Sequence, residues 1–219
     1  MYIPPTLVVD AIVFQIIGSK LHVLLIKRSQ EPFLNTWALP GGYNPEGETT
    51  RQALHRILQA KGGVDEEALP LTEQLYTFDT VARDPRGHAV SVTYMSLGFN
   101  ISPQASQTTQ SPQFFPVDDL PALAYDHIDI ITYARKRLIS KISYTTAASA
   151  LLPSVFTLTE LQAVFEAAHG HDLDKRNFRK RYLAFNIIKP TGELRKEGAH
   201  RPAQLYTFTT GPNEPLDEL

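Results

Sequence analysis

Two stretches of this chain carry residue types at spacings that could do chemistry. The first contains Leu39-Pro-Gly41-Gly42, with Glu48 and Arg56 behind it, and a later turn, Arg83-Asp84-Pro85-Arg86. Two arginines on a constrained turn offer forked donors to a diphosphate, a geometry that a lysine pair lacks. The same turn also suits a solvated β-turn, so surrounding residues must decide. The second stretch is Leu173-Asp-Lys-Arg-Asn-Phe-Arg-Lys-Arg-Tyr182. On a helix, Phe178, Tyr182 and Phe185 form one apolar stripe. Arg176, Asn177, Arg179 and Lys180 lie broadly opposite, Lys175 and Arg181 sit at the edges, and Leu183 projects to the polar side. Arg and Asn can make bidentate contacts to guanine and adenine edges in a major groove, and the remaining cations suit phosphates.

Composition narrows the setting. The chain has 219 residues, 42% of them apolar and 20% charged, enough to bury one large core or two modest ones. It has no cysteine, which excludes disulfides, thiolate zinc sites and cysteine nucleophiles. None of the seven histidines has ligand spacing; His169 and His171 stand two apart at a helix end. No apolar run approaches a membrane span, and Met1-Tyr-Ile-Pro-Pro lacks a basic leader, so a soluble cytoplasmic protein is expected. The net charge of −2 hides an asymmetry: Lys plus Arg number 12 against 14 Asp plus Glu in 1–152, but 9 against 6 in 153–210. A basic segment follows a mildly acidic body.

The elements that must position these residues follow from periodicity. Thr6–Gln15 and Leu21–Arg28 read as strands around a turn at Ile17–Lys20. Thr49–Lys61 reads as a helix ended by Gly62-Gly63, and Glu73–Asp79 and His88–Asn100 as further strands. Ser102–Pro112 reads as a loop. His127–Ile142 reads as a long helix with Ile128, Ile131, Ala134 and Leu138 inward, Asp126 being a candidate cap. Ser143–Pro153 suits a connector. Thr157-Leu-Thr-Glu160 is a capping box, with Phe156 and Leu161 at the staple positions. The helix it starts runs to Gly170, Asp172 or Asp174 caps a second one over Lys175–Phe185, and two β-segments, Asn186–Lys189 and Gln204–Phe208, close the order. Between them a basic loop with Pro190-Thr-Gly192, Arg195, Lys196 and Arg201 is expected to be a wing that grips the DNA backbone. Helix, turn, basic helix and basic ribbon is the order of a winged helix-turn-helix. The expected fold class is α/β (α+β), with a boundary between 1–142 and 143–219.

Gly42, Glu48, Arg56, Gly63 and Val64 fall on the spacing of the Nudix box, and this part of the chain resembles the Nudix family. The resemblance implies a mixed sheet sandwiched by helices. It also implies three box glutamates, but Ile57, Ala60 and Lys61 stand in their places. Family members hydrolyse pyrophosphates by holding divalent cations on those carboxylates. With Glu48 alone remaining, the chain is expected to hold no metal and have no hydrolase activity, and Arg56 is expected to pair with Glu48 or a loop carbonyl. Gln74–Phe78, Arg83–Arg86 and Ser91–Tyr94 resemble the ADP-ribose-pyrophosphatase-like branch. This implies a ligand pocket on Arg83, Asp84, Arg86, Gly41 and Gly42, with Arg28 and Tyr94 added. Trp37 either lines it or packs in the core, and His127 either touches ligand or caps its helix.

Together, a degenerate Nudix domain followed by Phe156–Gln162 and Asp172–Lys180 resembles the NrtR family of Nudix-related transcriptional regulators. That implies a homodimeric repressor, usually of NAD-biosynthesis genes, that binds a double-stranded DNA operator. ADP-ribose or a related nucleotide would be the effector that releases DNA, and no cofactor is required. Three alternatives stand beside this: a sugar-responsive regulator of the same architecture, a working pyrophosphatase on ADP-ribose-like substrates, and a signalling adaptor without a nucleic-acid partner.

Overall fold

The computed structural model describes residues 3–104, 110–196 and 202–216. The Nudix-like part contains strands β1 (Thr6–Ile17), β2 (Lys20–Lys27), β3 (Trp37–Ala38), β4 (Gly41–Tyr43), β5 (Leu71–Phe78), β6 (Ala89–Leu97) and β7 (Gln110–Pro116). They form one mixed sheet in the order β3-β2-β1-β6-β5, with β4 paired to β1 and β7 to β2. β1 and β6 run parallel from Thr6 opposite Ala89 to Phe14 opposite Leu97. Helix α1 (Thr50–Ile57) continues into a wider turn, Leu58–Gly62, and α2 spans His127–Tyr144.

Alternation along β1 puts a core on each face of the sheet. Ile12 and Phe14 join Val23, Leu25, Met95 and Leu97 beneath the α2 residues Ile130, Ile131, Ala134, Leu138 and Ile142. Val9, Ala11 and Val13 join Leu24 beneath the α1 residues Ala53, Leu54 and Ile57. The expected sandwich is thus present. Ile128 departs from its expectation: it is 48% exposed, and Ile130 takes the inward position.

The chain then forms a short helical turn (Thr146–Leu151), β8 (Phe156–Thr157), α3 (Leu158–His169), α4 (Lys175–Ala184), β9 (Ile188–Arg195) and β10 (Ala203–Phe208). The small sheet has the order β8-β10-β9. The capping box forms as its sequence requires: the Thr157 amide donates to Glu160 Oε2 (2.7 Å) and the Glu160 amide to Thr157 Oγ1 (3.1 Å). Gly170 ends α3 at φ +80°, a left-handed position that favours glycine. Asp174, of the two candidates, caps α4 by accepting from the Asn177 amide at 2.7 Å.

Two loop expectations are corrected. The stretch 102–112 does not remain a loop to its end, because β7 begins at Gln110 and pairs with β2. Its polar start hides the apolar Phe114 and Phe115 that drive pairing. Pro190-Thr-Gly192 and Arg195 belong to β9 rather than to a loop; Pro190 is tolerated because β9 is an edge strand. Arg201 lies outside the described residues.

One apolar cluster crosses from the first part to the second. It runs from α2 through Ala147, Leu151 and Phe156 to Leu161, Phe165, Phe178, Tyr182 and Leu216. Polar ties reinforce it: Arg135 of α2 donates from Nε to the Ala168 carbonyl at the end of α3 (2.8 Å) and from Nη1 to Asp118 (2.5 Å). Shared burial of this kind makes the two parts unfold together. Trp37 fluorescence, which reports the first part alone, should therefore melt at the same midpoint as far-ultraviolet circular dichroism. Leu138→Ala should cost about 2–5 kcal/mol and lower both midpoints together; separate midpoints would show two independent units.

Candidate functional site

Above β1 and β4 lies a cavity of 490 Å³, walled by the Gly41–Tyr43 strand, the turn at Arg83–Arg86, the segment from Arg28 to Glu31 and the residues that lead into α2. Its floor is organised by Asp10, a single carboxylate inside the apolar run of β1. The Arg83 guanidinium is buried and donates to both carboxylate oxygens of Asp126 (2.8 and 2.9 Å) and to Asp10 Oδ2 (3.3 Å). Ser91 Oγ donates to the same Asp10 oxygen at 2.6 Å. Burial alone would lower the Arg83 pKa, but the bonds from Asp126 and Asp10 outweigh it and the group is held more firmly charged. Gly41 passes so close to Asp10 that a Cβ there would overlap the carboxylate, which explains why glycine stands at this position.

His127 stands at the start of α2 with its ring fully enclosed. The Leu39 amide donates to its Nδ1 at 2.9 Å, so the neutral ring carries its proton on Nε2, 3.8 Å from Asp10 Oδ1. Burial pushes its pKa down, and the ring is neutral near pH 7. Of the two readings of His127, the pocket-lining one fits. The helix-cap reading does not, because Asp126 makes no side-chain cap and is spent on Arg83.

The arginine turn also differs from its expectation. Arg83 faces two carboxylates rather than open space. Arg86 is clamped by Asp84 (Nη2 to Oδ2 2.6 Å, Nε to Oδ1 2.9 Å), and its Nη1 reaches the Tyr43 hydroxyl at 2.9 Å. Both line the cavity, yet each is already matched by an acid that a ligand must compete with. Gly41, Gly42, Asp84 and Arg28 line it as expected. Trp37 and Tyr94 do not. Trp37 packs edge-on against Phe115 at 4.6 Å within the core, and the Tyr94 hydroxyl meets Thr50 Oγ1 at 2.8 Å beneath α1.

The positions where the box glutamates are expected make other contacts. Ile57 is buried in the core and Ala60 is exposed. Lys61 turns its ammonium to the Gly41 carbonyl at 2.5 Å, and burial, aided by nearby Arg28 and Arg56, lowers its pKa. Glu48 is bidentate to Arg56 (2.8 and 2.6 Å), which also donates to the Tyr43 carbonyl at 3.0 Å. The side-chain bond from Arg56 holds the Glu48 carboxyl below its usual range. A hydrolytic magnesium centre does not fit residues arranged this way, and among the described residues no group of three metal-ligating side chains gathers.

On the other part, α4 presents Lys175, Arg176, Asn177, Lys180 and Arg181 exposed, while Phe178 and Tyr182 pack on Phe165 at 5.3 and 5.1 Å. Leu183 is 48% exposed, on the polar side as its wheel position requires. Arg179 is half-buried and reaches toward Thr159 Oγ1 at 3.5 Å, and the Arg181 guanidinium lies over Phe185 at 5.5 Å. Arg195 is not a free wing cation: it pairs with Glu160 at 2.5 Å, fastening β9 to the start of α3. Lys196 is exposed at the strand end. Among the described residues no helix is long and apolar enough to cross a membrane.

Sequence reasoning missed Asp10 and Tyr43 in the cavity. The signal for Asp10 was there, since a lone carboxylate interrupting an apolar strand must have a buried partner.

Comparison with known proteins matches residues 6–135 to the NUDIX domain and residues 148–208 to the NrtR DNA-binding winged helix domain. The ADPR responsive transcriptional repressor NtrR of Acinetobacter baylyi is 36% identical over 212 residues, covering 94% of this chain and 83% of the relative. The crystal structure of Shewanella oneidensis NrtR complexed with a 27mer DNA is similar with a TM-score of 0.76 and 36% identity, covering 92% of this chain and 93% of that one. The NUDIX domain of the same Shewanella protein, complexed with ADP ribose, gives a TM-score of 0.53 at 36% identity, covering 63% of this chain and 90% of that one. With an acid-matched cavity on its Nudix fold and a basic α4 on its winged helix, the chain belongs to the NrtR family of Nudix-related transcriptional regulators.

Proposed function

We propose that this protein is a transcriptional repressor whose Nudix-fold part, 1–142, binds ADP-ribose or a closely related nucleotide and whose part 143–219 holds operator DNA until that ligand arrives. The observation that carries the reading is the replacement of a metal face by Lys61 on the Gly41 carbonyl, in a cavity that keeps its arginines, on the same chain as a basic, exposed α4. Such a pocket binds a diphosphate without cleaving it. The Acinetobacter relative is ADPR responsive and the Shewanella NUDIX domain holds ADP ribose, which supports the choice of ligand. A homodimer in the cytoplasm on a two-fold operator completes it, because one winged helix makes few contacts and paired half-sites one or more helical turns apart multiply them. Arg176, Asn177, Arg179 and Lys180 read the major groove; for Arg179 this requires leaving Thr159.

α2 connects the two activities. Its head is fixed in the cavity through Asp126 and His127, and Arg135 fixes its middle to the end of α3, the helix before α4. A ligand that shifts the head of α2 changes the placement of α4, provided it binds the two arrangements unequally.

ADP-ribose incubated with magnesium or manganese should remain intact; stoichiometric AMP and ribose 5-phosphate at an ordinary hydrolase rate would reinstate the pyrophosphatase reading. In mobility-shift titrations against the protein's own upstream region, saturating ADP-ribose should release the DNA, and a complex that persists overturns the release mechanism. Asn177→Ala should cost about 1–3 kcal/mol at one base position, while Lys180→Ala should weaken all sequences alike and reduce the salt slope by about one. Arg135→Ala should keep both affinities when each ligand is titrated alone and lose their mutual dependence, which titrating ADP-ribose with and without operator measures directly.

A further inference from the structure

Within the cavity one buried hydroxyl has no hydrogen-bond partner and one partly buried guanidinium has no carboxylate beside it. Arg28, at the end of β2, donates from Nε to the Pro32 carbonyl (2.8 Å) and from Nη2 to the Gln30 carbonyl (3.2 Å). These bonds fix the guanidinium against its own loop but leave its charge unmatched: among the described residues Arg28 makes no ion pair, whereas Arg56, Arg83 and Arg86 each hold a carboxylate. The Arg28 guanidinium lies over the Tyr125 ring, 4.9 Å from its centroid. The Tyr125 hydroxyl is buried and has no hydrogen-bond partner, although it lies in the fields of Arg28, Arg86, Asp84 and Asp10.

A buried hydroxyl without a partner is uncommon in folded proteins and calls for a cause. Its surroundings show which kind of atom is missing. An unpaired phenol needs an acceptor, and an unneutralised guanidinium beside it needs a negative charge; an anionic oxygen supplies both. Tyr125 is also held at φ +57°, a left-handed backbone that is unfavourable for a side chain of this size. Its ring meets Phe33 edge-on at 4.8 Å and tilts against His127 at 5.3 Å, so packing holds it there. Two positions later α2 begins.

We propose that Arg28 and the Tyr125 hydroxyl form the anion-binding subsite of the cavity, taking an anionic phosphate oxygen of the nucleotide, and that Arg83 and Arg86 shape the wall instead of carrying the phosphates. This rests on the nucleotide-sensing reading above. It moves the charged contact from the turn at 83–86, where the sequence puts it, to the junction of β2 with the head of α2. It also gives the effector a direct hold on the residue from which α2 departs.

Tyr125→Phe removes only the unpartnered oxygen and Arg28→Gln only the unmatched charge. Calorimetric titration of the full-length protein with ADP-ribose, and with inorganic pyrophosphate as the minimal probe, should show each variant binding ADP-ribose about tenfold or more weaker. Adenosine, which carries no anion, should lose nothing. In thermal melts without ligand, Tyr125→Phe should be as stable as the native chain or more so, an outcome that a structural hydroxyl would not give. Native-like ADP-ribose affinity in both variants, with a loss in Arg86→Ala alone, overturns the subsite and leaves the nucleotide sensor standing. A native chain that ignores ADP-ribose and binds a neutral sugar overturns both.

Discussion

The buried cluster of Asp10, Arg83 and Asp126 is the constraint on which the rest of the structure depends. It joins the central strand of the sheet, the turn after β5 and the residue before α2 through one guanidinium with three short bonds. Desolvating such a group costs several kcal/mol, which the Arg83 guanidinium offsets by donating to both carboxylates. Each further feature of the cavity takes its place from Asp10. Gly41 must be glycine to pass it, Ser91 donates to it, and His127 sits beside it with its proton on the nearer nitrogen. Losing one partner would leave an uncompensated buried charge, a loss of about 3–5 kcal/mol. These bonds set the frame of the cavity, and under the proposed subsite its ligand specificity comes from Arg28 and Tyr125.

The Nudix box positions obey the same charge logic. A catalytic box needs carboxylates in excess of cations, so that metal ions complete the charge balance. Here Glu48 is spent on Arg56, and Lys61 turns its amine, with a pKa lowered by burial, toward the Gly41 loop. The ammonium reaches the carbonyl of Gly41 in the loop that a phosphate would face. Lysine brings no water to activate and no open coordination position. Its lowered pKa follows from burial, with nearby Arg28 and Arg56 adding to the effect.

Much of this was legible in the sequence. Glycine and arginine spacing gave the loop–helix unit, Thr157 and Glu160 gave the start of α3, and the Phe178–Tyr182 stripe gave the inner face of α4. These are local signals with a fixed period. The errors have a common cause, that side chains are committed by partners distant in sequence. Arg83 read as a free fork because Asp10, 73 residues away, and Asp126, 43 residues away, could not be placed beside it. Sequence order alone makes Arg195 a wing cation, but β9 runs far enough for it to meet Glu160. Trp37 and Tyr94 flank the pocket in sequence yet face the two cores, because pleat alternation, not proximity, decides which way they point.

Coupling between the halves follows from how little freedom the connection has. The apolar cluster that holds α2 to the sheet also holds α3 and α4, so the winged helix is not a tethered module that turns freely. Packed cores shift between discrete arrangements rather than deforming continuously. On the proposed reading a signal from the cavity moves α2 as a body, and Tyr125, two residues before that helix, is held at positive φ. Tyr125 holds a left-handed backbone between the enclosed Ala124 and the ion-paired Asp126. To move such an equilibrium from one state nearly complete to the other, a ligand must prefer one of them by about 5.5 kcal/mol. Uniform contacts along the wall contribute nothing to that difference, however tightly they bind. A ligand contact at Tyr125 or His127 acts where the cavity meets the helix, since both line the cavity and His127 begins α2.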